Sequence, residues 1–277
     1  MNLNIAGISA TQIAQMALQS TQEEFMGIVE DLSSGKFSGM SPSDTYVSED
    51  INIDTASRYA AVENAQQGIN VTQVADGTYS DVTAMLGRIM ELSTQASSDI
   101  YSDAQRQAMQ AEVNQLTEQI SKSLAGTTYN GKNLINVVSD GEKNAENIDF
   151  QVGTNSLPSS TISYDPNIKL EEMKFDLSSA ENARASMKQA EEMINTVSAK
   201  RSEIAATQTG LINSVEANMT AIVNNQASYS TIADTDYAAS MLGLVQNQIK
   251  QESLVAVLSS TLKSQGNLMN LIYGISA

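Results

Sequence analysis

The chain has 277 residues, and its 32 acidic and 15 basic side chains give a formal net charge of −17 at neutral pH. Binding to nucleic acid or to an anionic membrane surface relies on clustered lysine and arginine, so this charge argues against both. Cysteine and histidine are absent, which excludes a disulfide framework and the usual zinc, copper and haem sites. We therefore expect no cofactor and no metal.

The first predicted element is an amphipathic helix within residues 1–34. Its apolar stripe consists of Ile5, Ile8, Ile13, Leu18, Phe25, Val29 and Leu32. The start of the chain lacks the basic region, apolar region and cleavage site of a signal peptide. No segment reaches the ~18 apolar residues of a membrane span. These features alone predict a cytoplasmic protein that does not insert into a membrane.

A second helix is predicted from about Thr55 to Ala96, where apolar residues recur at steps of three and four. Gly68 and Gly77 lie inside this stretch, and each costs a helix about 1 kcal/mol relative to alanine. The two glycines therefore argue against one uninterrupted helix.

A capping box predicts the start of the third helix. Ser102 and Gln105 have the S-x-x-Q spacing at which each side chain accepts a hydrogen bond from the backbone of the other. The helix is expected to end near Gly126, before a turn at Asn130-Gly131.

The composition changes between residues 130 and 169 to glycine, asparagine, serine and proline with short β-like runs. The runs cover residues 148–152 and 161–164, and Pro158 and Pro166 are expected in loops. A hairpin or small sheet is predicted at the outer tip of a helical rod.

The clearest periodicity lies in the next predicted helix, where steps of four and three residues connect Ala183 to Ile222. A period of 3.5 residues predicts a long helix that packs at a shallow left-handed angle. The apolar seam includes Met187, Ile194, Val197, Ile204, Leu211, Val215 and Ile222. Arg201, Gln208 and Asn218 interrupt it, and polar seam residues fix register at a cost in stability.

The last predicted helix lies within residues 239–277 and carries a leucine-rich stripe. This stripe consists of Leu242, Val245, Ile249, Leu254, Leu258, Leu262, Leu268, Leu271 and Ile272. Periodicity leaves two interpretations open for the two ends of the chain. They are helices of an ordinary bundle, or helices that pair with each other or with copies of themselves only on assembly.

Six segments, in the same order along the chain, resemble bacterial flagellin. They are Leu32–Gly35 (LSSG), Asn64–Ile69 (NAQQGI), Leu86–Ala96 (LGRIMELSTQA), Tyr129–Leu134 (YNGKNL), Phe150–Gly153 (FQVG) and Ile232–Ala238 (IADTDYA). Each motif is weak alone, but six in order over both halves of the chain give a specific resemblance that covers nearly all of it.

The resemblance implies a mainly α-helical filament subunit, with a long antiparallel coiled-coil rod, a small β-hairpin region at its tip and paired terminal helices. Residues 1–44 and 231–277 are expected to form an inner coiled-coil layer, and residues 45–230 the rod, with the β region at about 130–170. Large variable outer domains are missing. The residues expected to pack between subunits are Leu18, Phe25, Leu32, Leu254, Leu258, Leu262 and Leu268.

The resemblance also implies an extracellular location, reached without a cleaved signal peptide through the flagellar type III export apparatus. It changes the cytoplasmic expectation stated above. The implied partners are further copies of the chain, an export chaperone, and the hook-associated junction and cap proteins.

One segment departs from the family pattern. Residues 36–50 replace the loop that usually follows LSSG and that contacts neighbouring subunits in the family. Its Gly35-Lys36 and Ser41-Pro42-Ser43-Asp44 resemble a form found in the hook–filament junction protein, a related fold. A junction protein or a minor secreted flagellin-like protein is therefore the alternative, and the turn at 129–134 argues against the first.

Arg88, Leu92 and Glu112 match family residues that contact the vertebrate Toll-like receptor for flagellin. The alternative is that Arg88 and Glu112 only form an ion pair across two antiparallel helices. The resemblance leaves both interpretations open.

Enzymatic chemistry has little support in the sequence. The adjacent pairs Glu23-Glu24, Glu171-Glu172 and Glu191-Glu192 point about 100° apart on a helix, which is typical of solvated faces. Asp234 and Asp236 are predicted to be turn or N-cap carboxylates. No phosphate-binding or dinucleotide-binding loop occurs, so we predict that the protein is not an enzyme.

Overall fold

The structure is a computed structural model that describes residues 3–138, 145–155, 157–170 and 173–274, with side chains described between residues 11 and 267. It is mainly α-helical with a small strand region, which confirms the predicted fold class. The chain divides into two compact units. The terminal unit comprises residues 1–53 and 225–277, and the central unit comprises residues 54–224.

Five α-helices account for most of the described chain. They are α1 (Leu3–Ser34), α2 (Pro42–Ala96), α3 (Asp103–Gly126), α4 (Ala180–Ala233) and α5 (Tyr237–Gly274). Six short strands lie between α3 and α4. They are β1 (Thr128–Tyr129), β2 (Lys132–Asn133), β3 (Asn136–Val137), β4 (Ile148–Gln151), β5 (Thr161–Tyr164) and β6 (Asn167–Ile168).

Within the central unit, α2 runs antiparallel to α4. Arg58 near the start of this part of α2 contacts Asn218 near the end of α4, at 3.3 Å between Nη1 and Oδ1. Further along α2, Asp76 accepts from Arg201 Nε at 2.8 Å. Helix α3 folds back along α2. The residue after α3, Thr127, shares a hydroxyl hydrogen bond of 2.9 Å with Thr78 on α2. Apolar side chains from all three helices and from the segment between α3 and α4 form the core.

Helix α2 starts earlier than predicted and is continuous. Ser41 Oγ accepts from the backbone N–H of Asp44 at 3.2 Å, and Pro42 fits the first helical position. The expectation of a loop over residues 36–50 is therefore wrong beyond residue 41. The break suggested by Gly68 and Gly77 is also absent. Gly68 lies close to β4, since a Cβ added there would be 3.0 Å from Phe150 Cγ.

The start and end predicted for α3 are confirmed. The capping box at its start is complete, since Ser102 accepts from the N–H of Gln105 and the Gln105 side chain accepts from the N–H of Ser102. The helix ends at Gly126.

The strand region consists of three two-stranded sheets, and the predicted runs correspond to β4 and β5, which pair antiparallel. Asn130 and Gly131 both have positive φ angles, +48° and +78°, as the two-residue turn between β1 and β2 requires. Strands β3 and β6 pair in parallel. Pro158 starts a short 3₁₀ helix (Pro158–Ser160), and Pro166 lies between β5 and β6, so both prolines are outside strands.

In the terminal unit, α1 and α5 pair side by side and antiparallel. The Tyr237 hydroxyl donates to the backbone oxygen of Leu32 at 2.7 Å. Further along α5 and earlier on α1, Asn247 Nδ2 donates to Glu24 Oε2 at 3.3 Å. The terminal helices are thus paired, as predicted.

Candidate assembly surface

The seam between α1 and α5 follows a heptad pattern on both helices. On α1 the less exposed positions alternate by three and four residues and include Thr11, Ala14, Leu18, Thr21, Phe25, Ile28 and Leu32. On α5 the corresponding positions are Ser240, Leu244, Asn247, Gln251, Leu254, Leu258 and Thr261. A 3.5-residue period on both partners is the pattern of an antiparallel coiled coil.

The centre of this seam is polar. Asn247 is 4% exposed, and its Oδ1 is buried without a hydrogen-bond partner among the described residues. Thr21 is also buried, and Gln251 Nε2 reaches the backbone oxygen of Thr21 at 3.5 Å. A buried polar atom without a partner costs about 1–3 kcal/mol. The pairing of α1 with α5 is therefore weakest at its middle.

The outer faces of α1 and α5 carry large apolar side chains that remain in water. On α1 they are Ile13, Met16, Met26 and Val29, and on α5 they are Met241, Leu242, Val245, Ile249, Val255, Val257 and Leu262. A helix with apolar residues on all its faces is typical of a buried environment. A contiguous exposed apolar surface marks a site of interaction. The terminal unit therefore presents an uncovered apolar surface, which we call the outer apolar face.

The predicted subunit-packing residues divide between the seam and the outer apolar face. Leu18, Phe25, Leu32, Leu254 and Leu258 are half-buried along the seam, within one chain. Leu262 is 53% exposed and lies on the outer apolar face. The Leu268 side chain lies outside the described residues. Packing between subunits stays a prediction for this set.

Sequence periodicity did not separate the seam from the outer face, because six of these fourteen seam positions are polar. Residues such as Thr21, Asn247 and Gln251 were not counted as seam positions, although they complete the heptad pattern. Reading α1 and α5 for a shared 3.5-residue period, regardless of polarity, would have found them.

A short segment joins α1 to α2 and lies against the connection between α4 and α5. Gly35 has a φ of +72°, which favours glycine, and Lys36 pairs with Asp234 in an isolated β-bridge. The buried carboxylate of Asp31 accepts from the N–H of Ser38 at 2.7 Å. Asp236 accepts from the N–H groups of residues 238 and 239, which confirms it as the N-cap of α5.

The predicted rod seam lies on α4 in the central unit. Val197, Ile204, Leu211 and Ile222 are fully buried, whereas Met187, Ile194 and Val215 are half-buried. The polar interruptions have partners in the same unit. Arg201 pairs with Asp76, and Asn218 Nδ2 donates to the backbone oxygen of Val152 at 2.8 Å.

A second buried row on α4, absent from the predicted seam, consists of Ser186, Met193 and Lys200 at seven-residue spacing. Lys200 is 7% exposed and forms ion pairs with Asp165 at 3.0 Å and Glu203 at 2.9 Å. Burial alone would raise the pKa of Asp165, but hydrogen bonds from Asn167 and Lys200 outweigh it and hold that pKa below the usual range. This pair fixes the end of β5 on α4.

Of the three residues of the predicted receptor surface, the structure brings two together. Arg88 Nε donates to Glu112 Oε1 at 2.8 Å, and Arg88 also pairs with Glu91 at 3.0 Å. Leu92 is only 2% exposed and belongs to the hydrophobic core. Including Leu92 in an exposed surface is therefore wrong, and the ion pair across α2 and α3 is observed.

No group of three or more metal-ligating side chains occurs among the described residues. An open cleft of about 470 Å³ lies beside Arg106 and Phe175, but Gln110 in its wall is already bonded to the backbone of residues 175 and 177. None of the described helices has both the length and the apolar character to cross a bilayer.

Residues 5–139 match a family described as the bacterial flagellin N-terminal helical region. The chain is 26% identical to the flagellar filament 30.7 kDa core protein of Treponema maltophilum, over 95% of this chain and 97% of that protein. It is 28% identical to flagellin FlaB2 of Treponema pallidum with the same coverage. It is 26% identical to flagellin of Bacillus subtilis, over 98% of this chain and 99% of that protein.

A solved structure also resembles the fold. A flagellar hook-associated protein of Vibrio parahaemolyticus superposes with a TM-score of 0.58 and covers 69% of this chain and 98% of its own. The two sequences are 11% identical, so this likeness shows the fold alone.

Proposed function

We propose that the chain is a structural subunit that polymerises into a flagellar filament for motility, because residues 5–139 match the flagellin N-terminal helical region and several flagellins align with nearly all of the chain. The observation that carries the proposal is the outer apolar face of α1 and α5. A subunit in solution leaves this face in water, and further copies of the chain would cover it.

The energetics favour this assembly. Burying one large aliphatic side chain contributes about 1.5–3 kcal/mol, and the outer apolar face presents several per subunit. The cost of ordering the terminal helices and of associating subunits opposes this gain. The net charge of −17 adds repulsion between copies, which salt screens over about 8–10 Å. Polymerisation should therefore be promoted by salt.

The proposal assigns different layers of the filament to the two ends and the middle of the chain. Residues 1–44 and 231–277 would form the inner coiled-coil layer, and residues 45–230 would form the outer rod. The apolar surface on α1 and α5 supports the inner assignment, because a filament interior excludes water from such faces.

The finer features of the proposal concern the route to the filament. Export through the flagellar type III apparatus, without a cleaved signal peptide and with an export chaperone, would deliver the chain to an extracellular filament. Hook-associated junction and cap proteins would bound that filament at its two ends. Contact with a host Toll-like receptor would use Arg88 and Glu112, which already pair with each other.

The test is seeded polymerisation of the purified full chain in rising salt, followed by light scattering and electron microscopy. The variant Leu242→Glu/Ile249→Glu places charge on the outer apolar face and should block filament growth. Gln246→Glu/Gln248→Glu is the matched control, because it adds the same two charges at exposed polar positions of α5. Filaments of the double variant that grow as well as wild type would contradict the proposal.

The alternative of a junction protein loses one of its supports in the structure. The Ser41–Asp44 segment that resembles that protein caps α2, through the Ser41–Asp44 hydrogen bonds of 2.7 and 3.2 Å. A helix cap requires no junction-specific role. A junction protein would be a trace component of sheared filaments, whereas a filament subunit would be their main protein.

A further inference from the structure

The chain has an unusual distribution of oxidisable side chains. It contains 13 methionines and no cysteine, histidine or tryptophan. Thiolates are therefore unavailable as targets for peroxides and hypohalous acids. The methionine thioether becomes the side chain that two-electron oxidants attack, and exposure decides which methionines react.

Exposed methionines are concentrated in the terminal unit. Met16, Met26 and Met241 are 63%, 66% and 52% exposed. In the central unit, Met109 and Met193 are buried, whereas Met219 is 45% exposed. An oxidant in solution therefore reaches Met16, Met26, Met241 and Met219 before the buried thioethers.

Each of these three methionines of the terminal unit has an exposed aliphatic neighbour on the same helix face. Met16 lies three residues after Ile13, and Met26 lies three residues before Val29. Met241 is followed four residues later by Val245. Residues three or four apart are neighbours on a helix surface. All three thioethers are thus part of the outer apolar face.

We propose that Met16, Met26 and Met241 form an oxidation site that controls self-assembly: their conversion to sulfoxides prevents a subunit from joining a second copy of the chain. This inference rests on the proposed function, because it requires that further copies cover the outer apolar face.

The chemistry needs one oxidant, a peroxide, for each residue. The thioether sulfur attacks the O–O bond and takes one oxygen atom, and the other oxygen leaves with both hydrogens as water. The sulfur loses two electrons, and the peroxide gains them. The product is a polar sulfoxide in place of an apolar side chain, and its S=O group must lose water to enter a subunit contact.

The reaction is reversible through methionine sulfoxide reductases, which restore the thioether. The site therefore acts as a switch on subunits before they are incorporated. Leucine at these positions would keep the apolar surface and remove the sulfur, since leucine and methionine have similar volumes.

The test compares three full-length proteins after mild hydrogen peroxide treatment, with sulfoxides located by peptide mass spectrometry. They are wild type, the triple variant Met16→Leu/Met26→Leu/Met241→Leu, and the control variant Met219→Leu. The measured quantity is the critical concentration for seeded polymerisation. Oxidised wild type and oxidised Met219→Leu should both require about tenfold more protein, because loss of about 1.4 kcal/mol per joining subunit has this effect. The oxidised triple variant should polymerise as it did before treatment.

Reductase treatment of oxidised wild type should restore its critical concentration, and this measurement needs no variant. The inference is overturned if wild type carrying all three sulfoxides polymerises normally, or if the oxidised triple variant loses polymerisation as wild type does. If untreated wild type forms no filaments, the proposed function fails, and this inference falls with it.

Discussion

At the scale of single residues, two buried tyrosines differ in how their hydroxyl groups are satisfied. The Tyr164 hydroxyl donates to the backbone oxygen of Leu134 at 2.7 Å. The Tyr79 hydroxyl is buried without a partner among the described residues. Losing a hydrogen bond so that a buried acceptor is left unpaired costs about 1–3 kcal/mol of stability. Removing a hydroxyl that has no partner is nearly neutral.

We therefore predict that Tyr164→Phe destabilises the protein by about 1–3 kcal/mol and that Tyr79→Phe leaves stability unchanged or raises it. Urea unfolding followed by circular dichroism measures both. The two variants remove the same atom from neighbouring buried sites, so each serves as the control for the other. Equal losses of stability would contradict the assignment of the hydrogen bond.

The same two residues predict a loss of stability in alkali. Burial raises the pKa of Tyr79 and of Tyr164 above the usual tyrosine value of 10.0. The neighbouring Tyr164 raises the pKa of Tyr79 further, and Asp165 and Glu203 raise the pKa of both. The folded state therefore holds these protons more tightly than the unfolded state. The free energy of unfolding that these two protonated tyrosines contribute is fully present below about pH 10, and it is lost as the pH rises above that value.

The urea midpoint should fall between about pH 9 and about pH 11, and it should fall less in Tyr79→Phe. Tyr46→Phe is the matched control, because Tyr46 is exposed; this variant should follow the pH dependence of wild type. A wild-type midpoint that stays constant over this range would show that the buried tyrosines do not ionise on unfolding.

At the scale of elements, two glycines inside α2 have different surroundings. An added Cβ at Gly77 would meet nothing within 4 Å. At Gly68 it would lie 3.0 Å from Phe150 Cγ and 3.1 Å from Leu211 Cδ1. Gly77→Ala should stabilise the protein by about 0.5–1 kcal/mol through helix propensity. Gly68→Ala should be at least about 1 kcal/mol less stable than Gly77→Ala, because the helix and β4 must move apart. Thermal unfolding of the two variants measures this difference, and equal melting temperatures would contradict the prediction.

The polar centre of the α1–α5 seam gives a prediction for the terminal unit. Asn247→Leu removes the buried, unpaired amide oxygen and adds aliphatic contact at a heptad position. These gains should exceed the loss of the 3.3 Å hydrogen bond to the exposed Glu24, so the variant should stabilise the pair by about 1–3 kcal/mol. Gln248→Leu adds a leucine at the adjacent exposed position and should change stability by less than about 0.5 kcal/mol. Hydrogen exchange of the α1 and α5 amides measures the effect. Faster exchange in Asn247→Leu would mean that its side chain stabilises the pair.

The elements that could be predicted from sequence are those with local signals. The capping box of α3, the turn at Asn130-Gly131 and the paired runs of β4 and β5 are encoded within a few residues each. The start of α2 was predicted 13 residues too late, because residues 42–54 follow the capping Ser41 but have no regular apolar stripe. Lys200 and Asn247 could not be identified from their residue types, since their burial depends on partners far away in sequence.

At the scale of the whole molecule, the two units should differ in stability. The core of the central unit contains large, fully buried side chains such as Leu86, Ile120 and Leu211. The terminal unit has a polar seam and an uncovered apolar surface. Local unfolding follows from few buried contacts and exposed helical backbone. The terminal unit should therefore open first.

Limited trypsin digestion of the soluble monomer tests this difference. Cleavage should occur first after Lys36 and Lys250 in the terminal unit, and later after Arg88 and Lys200 in the central unit. Mass spectrometry of the fragments should reveal a resistant product that spans most of residues 54–224. Early cleavage after Arg88 would contradict the predicted order.

The pairing of α1 with α5 joins the most distant parts of the chain. Tyr237 and Leu32 are 205 residues apart, and the Asn247–Glu24 contact spans 223 residues. Closing a loop of this size carries a larger entropic cost than forming the α2–α3 hairpin, where Arg88 and Glu112 are 24 residues apart. The hairpin should therefore fold early, whereas the terminal pair can close only after α5 is free. A chain that emerges end first from a ribosome or a narrow channel cannot complete the terminal unit while it is still being delivered.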